Sequence, residues 1–118
     1  MAGIRPKRLA EQVQREIAKI INFKIKDPKK GLITLTGVQI TNDLSIAKIK
    51  YTAVDNQGNP SRETAQKVLD RANGYIRHEL AAEIRVRSVP SLIFIYDDSM
   101  DKIREIDKLI HKIHSEDE

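Results

Sequence analysis

Apolar residues recur at helical spacing in the first stretch of the chain. Leu9, Val13, Ile17, Ile20 and Ile21 share one face, which predicts a helix from about residue 6 to residues 23–26. Pro6 suits its first turn, and Asp27-Pro28-Lys29-Lys30-Gly31 is a run of breakers that ends it. A strand follows over 33–41. Ile33 and Leu35 fall on odd positions but Val38 and Ile40 on even ones, so the phase flips at Gly37 and predicts a β-bulge there. Thr41-Asn42-Asp43-Leu44 reads as a turn. Over 45–54, Ala47, Ile49, Tyr51 and Ala53 alternate with Lys48, Lys50 and Thr52, the pattern of a half-buried strand, and the pair predicts an antiparallel hairpin.

After a loop over 55–60, Asn59 as N-cap and Pro60 at the first helical position open a pattern that runs to about residue 84. Its apolar stripe changes phase. Ala65, Val68, Leu69 and Ala72 precede Ile76, Leu80 and Ile84, and on one helical wheel the two sets are offset by roughly 70°. This predicts a bend or break at Ala72-Asn73-Gly74, where glycine tolerates the change. Beyond Pro90, the nearly continuous apolar run Ser91-Leu92-Ile93-Phe94-Ile95-Tyr96 predicts an interior strand covered on both faces, able to lie parallel to a neighbour. Asp97-Asp98-Ser99 caps a last helix with Met100, Ile103, Ile106, Ile110 and Ile113 on one face. The order predicts an α+β fold with helices packed on a three-stranded sheet.

The chain of 118 residues bounds this to one domain. No apolar run is long enough to span a membrane, and the absence of cysteine excludes disulfides and thiolate metal sites. The net charge of +4 is unevenly placed: net +6 over residues 1–30, zero over 31–60, +2 over 61–90 and −4 over 91–118. A basic front and an acidic end suit a polyanionic partner; an uneven surface with no such partner is the plain alternative.

Enzymatic chemistry is thinly represented. Asp97, Asp98 and Asp101 have carboxylates suited to Mg²⁺, but acids at a helix start also cap it. His111 and His114 stand three apart with no third ligand placed near them. No Gly-rich phosphate loop occurs, and no serine or histidine sits in a nucleophile setting. The expectation is no catalytic residue, no metal and no cofactor. Arg8, Arg15 and Lys19 form a basic stripe on the wet side of the first helix, and Lys67 and Arg71 share a face beside the break. Glu63 and Asp70 lie close enough to pair with that second set. Bare backbone at Gly74, amides at a new helix start, and flanking Arg71 and Arg77 would together seat a phosphate chain. Aromatics are few, and Tyr75 alone stands beside the break, as a stacking or packing residue.

The element order resembles the type II KH domain, α-β-β-α-kink-α-β with a C-terminal helix added. In place of the GxxG loop of a usual KH domain stands Ala72-Asn73-Gly74, which resembles the A-x-G kink of the ribosome-binding factor A family. Other segments resemble that family in the same order. They are the first helix from Arg8 to Ile17, Ile25-Lys26-Asp27-Pro28, the hairpin from Val38 to Lys48, Gly74-Tyr75-Ile76-Arg77, and Arg87 to Phe94 followed by Asp97-Asp98-Ser99. Ser91 stands where the family usually has an acid, and no role is expected for the longer tail that some relatives carry. The resemblance implies a single KH-like RNA-binding domain over 1–118, with 1–5 and 114–118 flexible. It implies a non-catalytic, cytoplasmic, monomeric assembly factor without cofactor. Its partners would be the small (30S) ribosomal subunit and 16S rRNA during late maturation and pre-rRNA processing, including growth in the cold. RNA would meet Lys67, Arg71, Ala72, Asn73, Gly74 and Arg77, extended by Arg8, Arg15 and Lys19. A KH-like RNA-binding module outside ribosome assembly is the alternative.

Overall fold

Three amphipathic patterns in the chain find a common interior. The computed structural model describes residues 6–117. The elements are α1 (Pro6–Lys24), β1 (Leu32–Ile40), β2 (Ile46–Val54), α2 (Arg62–Ala81), β3 (Ser91–Tyr96) and α3 (Ser99–Asp117). The flexibility expected of residues 1–5 and 118 lies outside the described residues; residues 114–117 continue α3.

The sheet order is β1-β2-β3, with β1 antiparallel and β3 parallel to the central strand. Ala47, Ile49, Tyr51 and Ala53 of β2 are buried, as are Ile33, Leu92 and Phe94, which pair with Ala53, Ala47 and Ile49. These residues share one face of the sheet, and α1 and α2 cover it. Each fully buried Leu or Ile of this cluster contributes roughly 1.5–3 kcal/mol by leaving water. The other face is open: Lys48 and Lys50 are exposed, and so are Ile93 (44 %) and Ile95 (38 %). The expectation of an interior third strand is therefore corrected. β3 is an edge strand with one bare face, because no helix among the described residues returns to cover that side.

The bulge falls where the phase flip put it. The register shifts between Leu35 and Gly37, which keeps Leu35 and Val38 opposite the core positions Tyr51 and Ile49. The hairpin turn is held by Asp43, whose Oδ1 accepts from the Thr41 hydroxyl (2.7 Å), the Ser45 hydroxyl (2.7 Å) and the Ser45 amide (3.1 Å). Hydrogen bonding by the Ser45 hydroxyl first, and then by Thr41, holds that carboxyl below its usual range.

Two helix boundaries differ from expectation. Asn59 and Pro60 do not open α2. The chain there still follows β2, with Asp55 N bonded to Asn59 O (2.8 Å), Pro60 bridged to Val54 and Ser61 N bonded to Ala53 O (3.1 Å). At its other end α2 stops at Ala81 rather than near residue 84. The last helix departs further. Ile103, Ile106, Ile110 and Ile113 share a face as expected, yet each is 45–56 % exposed, so α3 is not packed on the sheet. The place of the Met100 side chain on that face lies outside the described residues.

Gly31 sets the approach to β1. Its φ is +63°, and a Cβ there would come within 2.3 Å of the Val54 carbonyl oxygen. Both strain and a backbone clash follow from any side chain. Gly31→Ala is expected to lower the unfolding free energy by about 2 kcal/mol or more. Gly58→Ala, also at positive φ (83°) but in open space, is expected to cost less. Urea denaturation of the two variants checks the order.

Candidate nucleic-acid interface

Helix α2 is the element on which the expected site depended, and it runs unbroken from Arg62 to Ala81. The predicted break at Ala72-Asn73-Gly74 is absent. Including Ile84 in the stripe widened the apparent phase change, from about 50° to roughly 70°. Ile84 is buried, but it lies beyond the helix, where its amide bonds back to Leu80 O (3.1 Å). Without it, the residues from Ala65 to Leu80 span about 120° of the wheel, an ordinary width for one buried face. The chain stays helical at Gly74, so no helix end there offers free amides to a phosphate.

The side chains around Gly74 divide into two groups. Gln66, Asn73 and Arg77 stand at i, i+7 and i+11, within about 40° of each other on the wheel. They face the free edge of β3. Gln66 Nε2 donates to Phe94 O (3.0 Å), Asn73 Nδ2 to Leu92 O (3.0 Å) and Arg77 Nε to Pro90 O (3.1 Å). Arg77 Nη2 also donates to Val89 O (2.6 Å). Asn73 and Arg77, expected to meet RNA, are thus engaged in holding β3 to the helix. Gln66 also accepts from the hydroxyl of Tyr51 and donates to Asp70 Oδ1 (3.1 Å). Burial pushes that tyrosine up to about 12. Ala72 is half-buried against the core.

Lys67, Arg71 and Gly74 belong to the second group, exposed on the outer side of α2. Arg71 comes no nearer than 3.9 Å to Asp27 Oδ2 and stays 76 % exposed, a loose pair of little energetic weight. Gly74 opens to solvent; nothing lies within 4 Å of the place its Cβ would occupy. It borders a shallow cavity of about 340 Å³ with Arg77, His78, Ala81 and Val89.

Arg8, Arg15 and Lys19 are exposed on α1, opposite its buried stripe. Because α1 and α2 cover the same face of the sheet, their outer sides look the same way. Arg8, Arg15, Lys19, Lys67, Arg71 and Gly74 are thus all exposed on the outer sides of these two helices, together with the exposed acids Glu11, Glu63 and Asp70. Lys19 stands 3.5 Å from Glu16. Arg8, Arg15 and Lys67 have no ion-pair partner among the described residues. Lys30 is withdrawn from any such surface, since its ammonium caps α1 by donating to Ile21 O (2.9 Å) and Ile25 O (3.1 Å).

Sequence reasoning passed over Phe23, which is 71 % exposed. A signal was present, since Phe23 lies off the stripe of Leu9, Val13, Ile17 and Ile20. Tyr75 is 46 % exposed, with its hydroxyl 3.4 Å from Glu79. The same carboxylate takes Lys24 Nζ at 2.7 Å, clamping the end of α1 to α2. That hydrogen bond raises the lysine and lowers the glutamate from their usual values.

Of the acids after β3, Asp97 is structural, Asp98 stands 3.6 Å from Lys102, and the side chain of Asp101 lies outside the described residues. Asp97 Oδ1 accepts from the Ser99 amide (3.0 Å) and Oδ2 from the Thr36 hydroxyl (2.8 Å). The Ser99 hydroxyl and amide, then Thr36, bring its carboxyl down to about 2. Among the described residues no three acids or histidines gather as a metal site.

A two-layer α+β domain that turns a row of cations outward from its helices has the build of a small polyanion-binding module. Comparison with known proteins says which. A family model for ribosome-binding factor A matches residues 5–110, and the chain belongs to that family. A ribosome-binding factor A from Staphylococcus carnosus is 42 % identical over 117 residues, covering 99 % of this chain and 100 % of the relative. The crystal structure of ribosome-binding factor A from Thermus thermophilus superposes with a TM-score of 0.69 at 27 % identity, covering 77 % of this chain and 93 % of that one. A Thermus thermophilus ribosome-binding factor A fitted into a cryo-electron-microscopy map of a 30S complex gives 0.63 at 27 % identity, over 75 % and 91 % of the two chains.

The two groups on α2 should separate experimentally. Gly74→Ala is expected to raise the unfolding free energy by about 0.5–1 kcal/mol, because an exposed glycine inside a helix is replaced without a clash. Arg77→Met is expected to lower it by about 1 kcal/mol, because the carbonyls before β3 lose their donor. Denaturant titration measures both; a destabilised Gly74→Ala would contradict the unbroken helix.

Proposed function

We propose that this chain binds the small ribosomal subunit during late maturation, meeting structured 16S rRNA with the outer surface of α1 and α2. The supporting observation is the exposure of Arg8, Arg15, Lys19, Lys67 and Arg71 on the outer sides of α1 and α2 in a member of the ribosome-binding factor A family. The fitted 30S complex of the Thermus thermophilus relative supports the subunit as partner. Phosphates meet the exposed cations, and counterion release makes the association salt-dependent. The bare backbone at Gly74 lets a strand approach α2 closely, and Phe23 and Tyr75 offer faces for unpaired bases. Asn73, Arg77 and Ala72 act indirectly, by holding α2 and β3 in place.

In this reading the protein acts as a cytoplasmic monomer without a cofactor. It supports pre-rRNA processing and growth in the cold by binding rather than by catalysis. No helix among the described residues is long and apolar enough to cross a membrane. A KH-like RNA-binding role outside ribosome assembly is separated by co-sedimentation: precursor small subunits should carry the protein, and unrelated RNA should not.

Charge reversal at Arg15 or Lys67 is expected to flatten the dependence of log affinity on log salt by about one unit for each phosphate no longer neutralised. Phe23→Ala is expected to weaken binding by about 1–3 kcal/mol while leaving that slope unchanged. Binding to precursor subunits across a salt series reads both. An unchanged slope in the charge variants would remove those cations from the interface.

A further inference from the structure

The two edges of the sheet are finished differently. Along β3 the carbonyls of Leu92 and Phe94, and that of Pro90 just before it, each take a donor from α2. On β1, no described residue outside β2 hydrogen-bonds to the backbone of Leu32–Ile40. Alternate residues of such an edge turn their N–H and C=O groups outward. Natural edges are commonly guarded by charge or proline. The nine residues Leu-Ile-Thr-Leu-Thr-Gly-Val-Gln-Ile of β1 contain neither, and only the bulge after Leu35 interrupts the row.

A groove runs beside this edge, with α1 as its far wall. It consists of two cavities, about 660 Å³ and about 600 Å³, one lined by Gly37–Thr41 and the other by Leu32–Leu35. On the helix side the lining includes Ala10, Gln14 and Ala18, short or slender residues at four-residue intervals that leave room for a neighbour. Leu35, Val38 and Ile40 remain only partly buried. The linings include the cations Lys7, Arg15 and Lys48 against the single acid Glu11.

We propose that this edge is a docking site for an extended, acidic segment of another protein, which adds to β1 as a fourth strand. Its backbone completes the ladder, its apolar side chains fill the space over Ala10, Gln14 and Ala18, and its carboxylates meet the cations of the groove. A peptide's own row of alternating N–H and C=O groups matches what β1 presents. A second copy of this chain would bring two sets of the same cations together, which disfavours self-pairing. The bulge limits continuous pairing to about four residues on either side of it, so the segment is short.

The test uses the whole chain and a synthetic peptide, acetyl-(Val-Glu)₄-amide, as probe. At saturation, hydrogen exchange followed by NMR should slow at least tenfold for outward-facing amides of β1, with amides of β3 unaffected. Ala18→Arg, which fills the groove, and Lys48→Glu, which reverses a charge in its lining, should each weaken binding tenfold or more. A peptide of the same charge with a central proline should lose most of its affinity. Equal binding by that peptide overturns strand addition. Protection of the same amides by oligouridylate but not by the peptide assigns the groove to nucleic acid and overturns the proposal. Protection that grows with protein concentration alone assigns it to a second copy and does the same.

Discussion

The fold depends on how α2 grips the edge of the sheet. A helix laid across a parallel pair of strands ordinarily touches them through apolar side chains alone. Here Gln66, Asn73 and Arg77 also reach the carbonyls of Phe94, Leu92 and Pro90. An edge carbonyl that loses water without gaining a donor costs free energy. The seam therefore secures β3 and quiets its edge at once. Tyr51 extends the same network into the core, since its hydroxyl meets Gln66 from the central strand. Helix, middle strand and edge strand are joined through one glutamine.

This seam divides the functional surface from the structural one. α2 carries cations on two sides, and its phase decides their fates. Arg77 turns toward β3 and is held by carbonyls. Lys67 and Arg71 turn outward with the stripe of Arg8, Arg15 and Lys19. A long-range field of one sign needs cations that are not neutralised by their own protein. Among the described residues Arg8, Arg15 and Lys67 meet this condition, whereas Lys19 stands beside Glu16 and Arg71 beside Asp27.

Burial is as uneven as charge. One sheet face is covered, while the other shows Ile93 and Ile95; α3 leaves the domain with its isoleucines exposed, and β1 keeps an unguarded edge. A chain of this size buries a smaller share of its surface than a large one. The apolar surface left open is nonetheless concentrated in particular places, and among the described residues the β1 groove combines free backbone, apolar lining and an excess of cations.

Local pattern alone determined much of this protein. The period of Leu9, Val13, Ile17 and Ile20 specified the first helix, and the alternation of Ala47, Ile49, Tyr51 and Ala53 specified the central strand. The phase flip at Gly37 located the bulge. Each of these follows from backbone periodicity, which is written in neighbouring residues. The family was legible for a related reason, since several short motifs occur in the right order. What the pattern could not contain was the identity of the partner across space. The run from Ser91 to Tyr96 is apolar whether one face or both are covered, and only the sheet order made β3 an edge. The stripe of α3 records which residues share a face and not what lies against it. Gly74 permits a break without requiring one, and packing kept the helix whole. Arg77 is a cation in the sequence; the carbonyls that occupy it lie more than ten residues away and reach it only once α2 has settled antiparallel to β3.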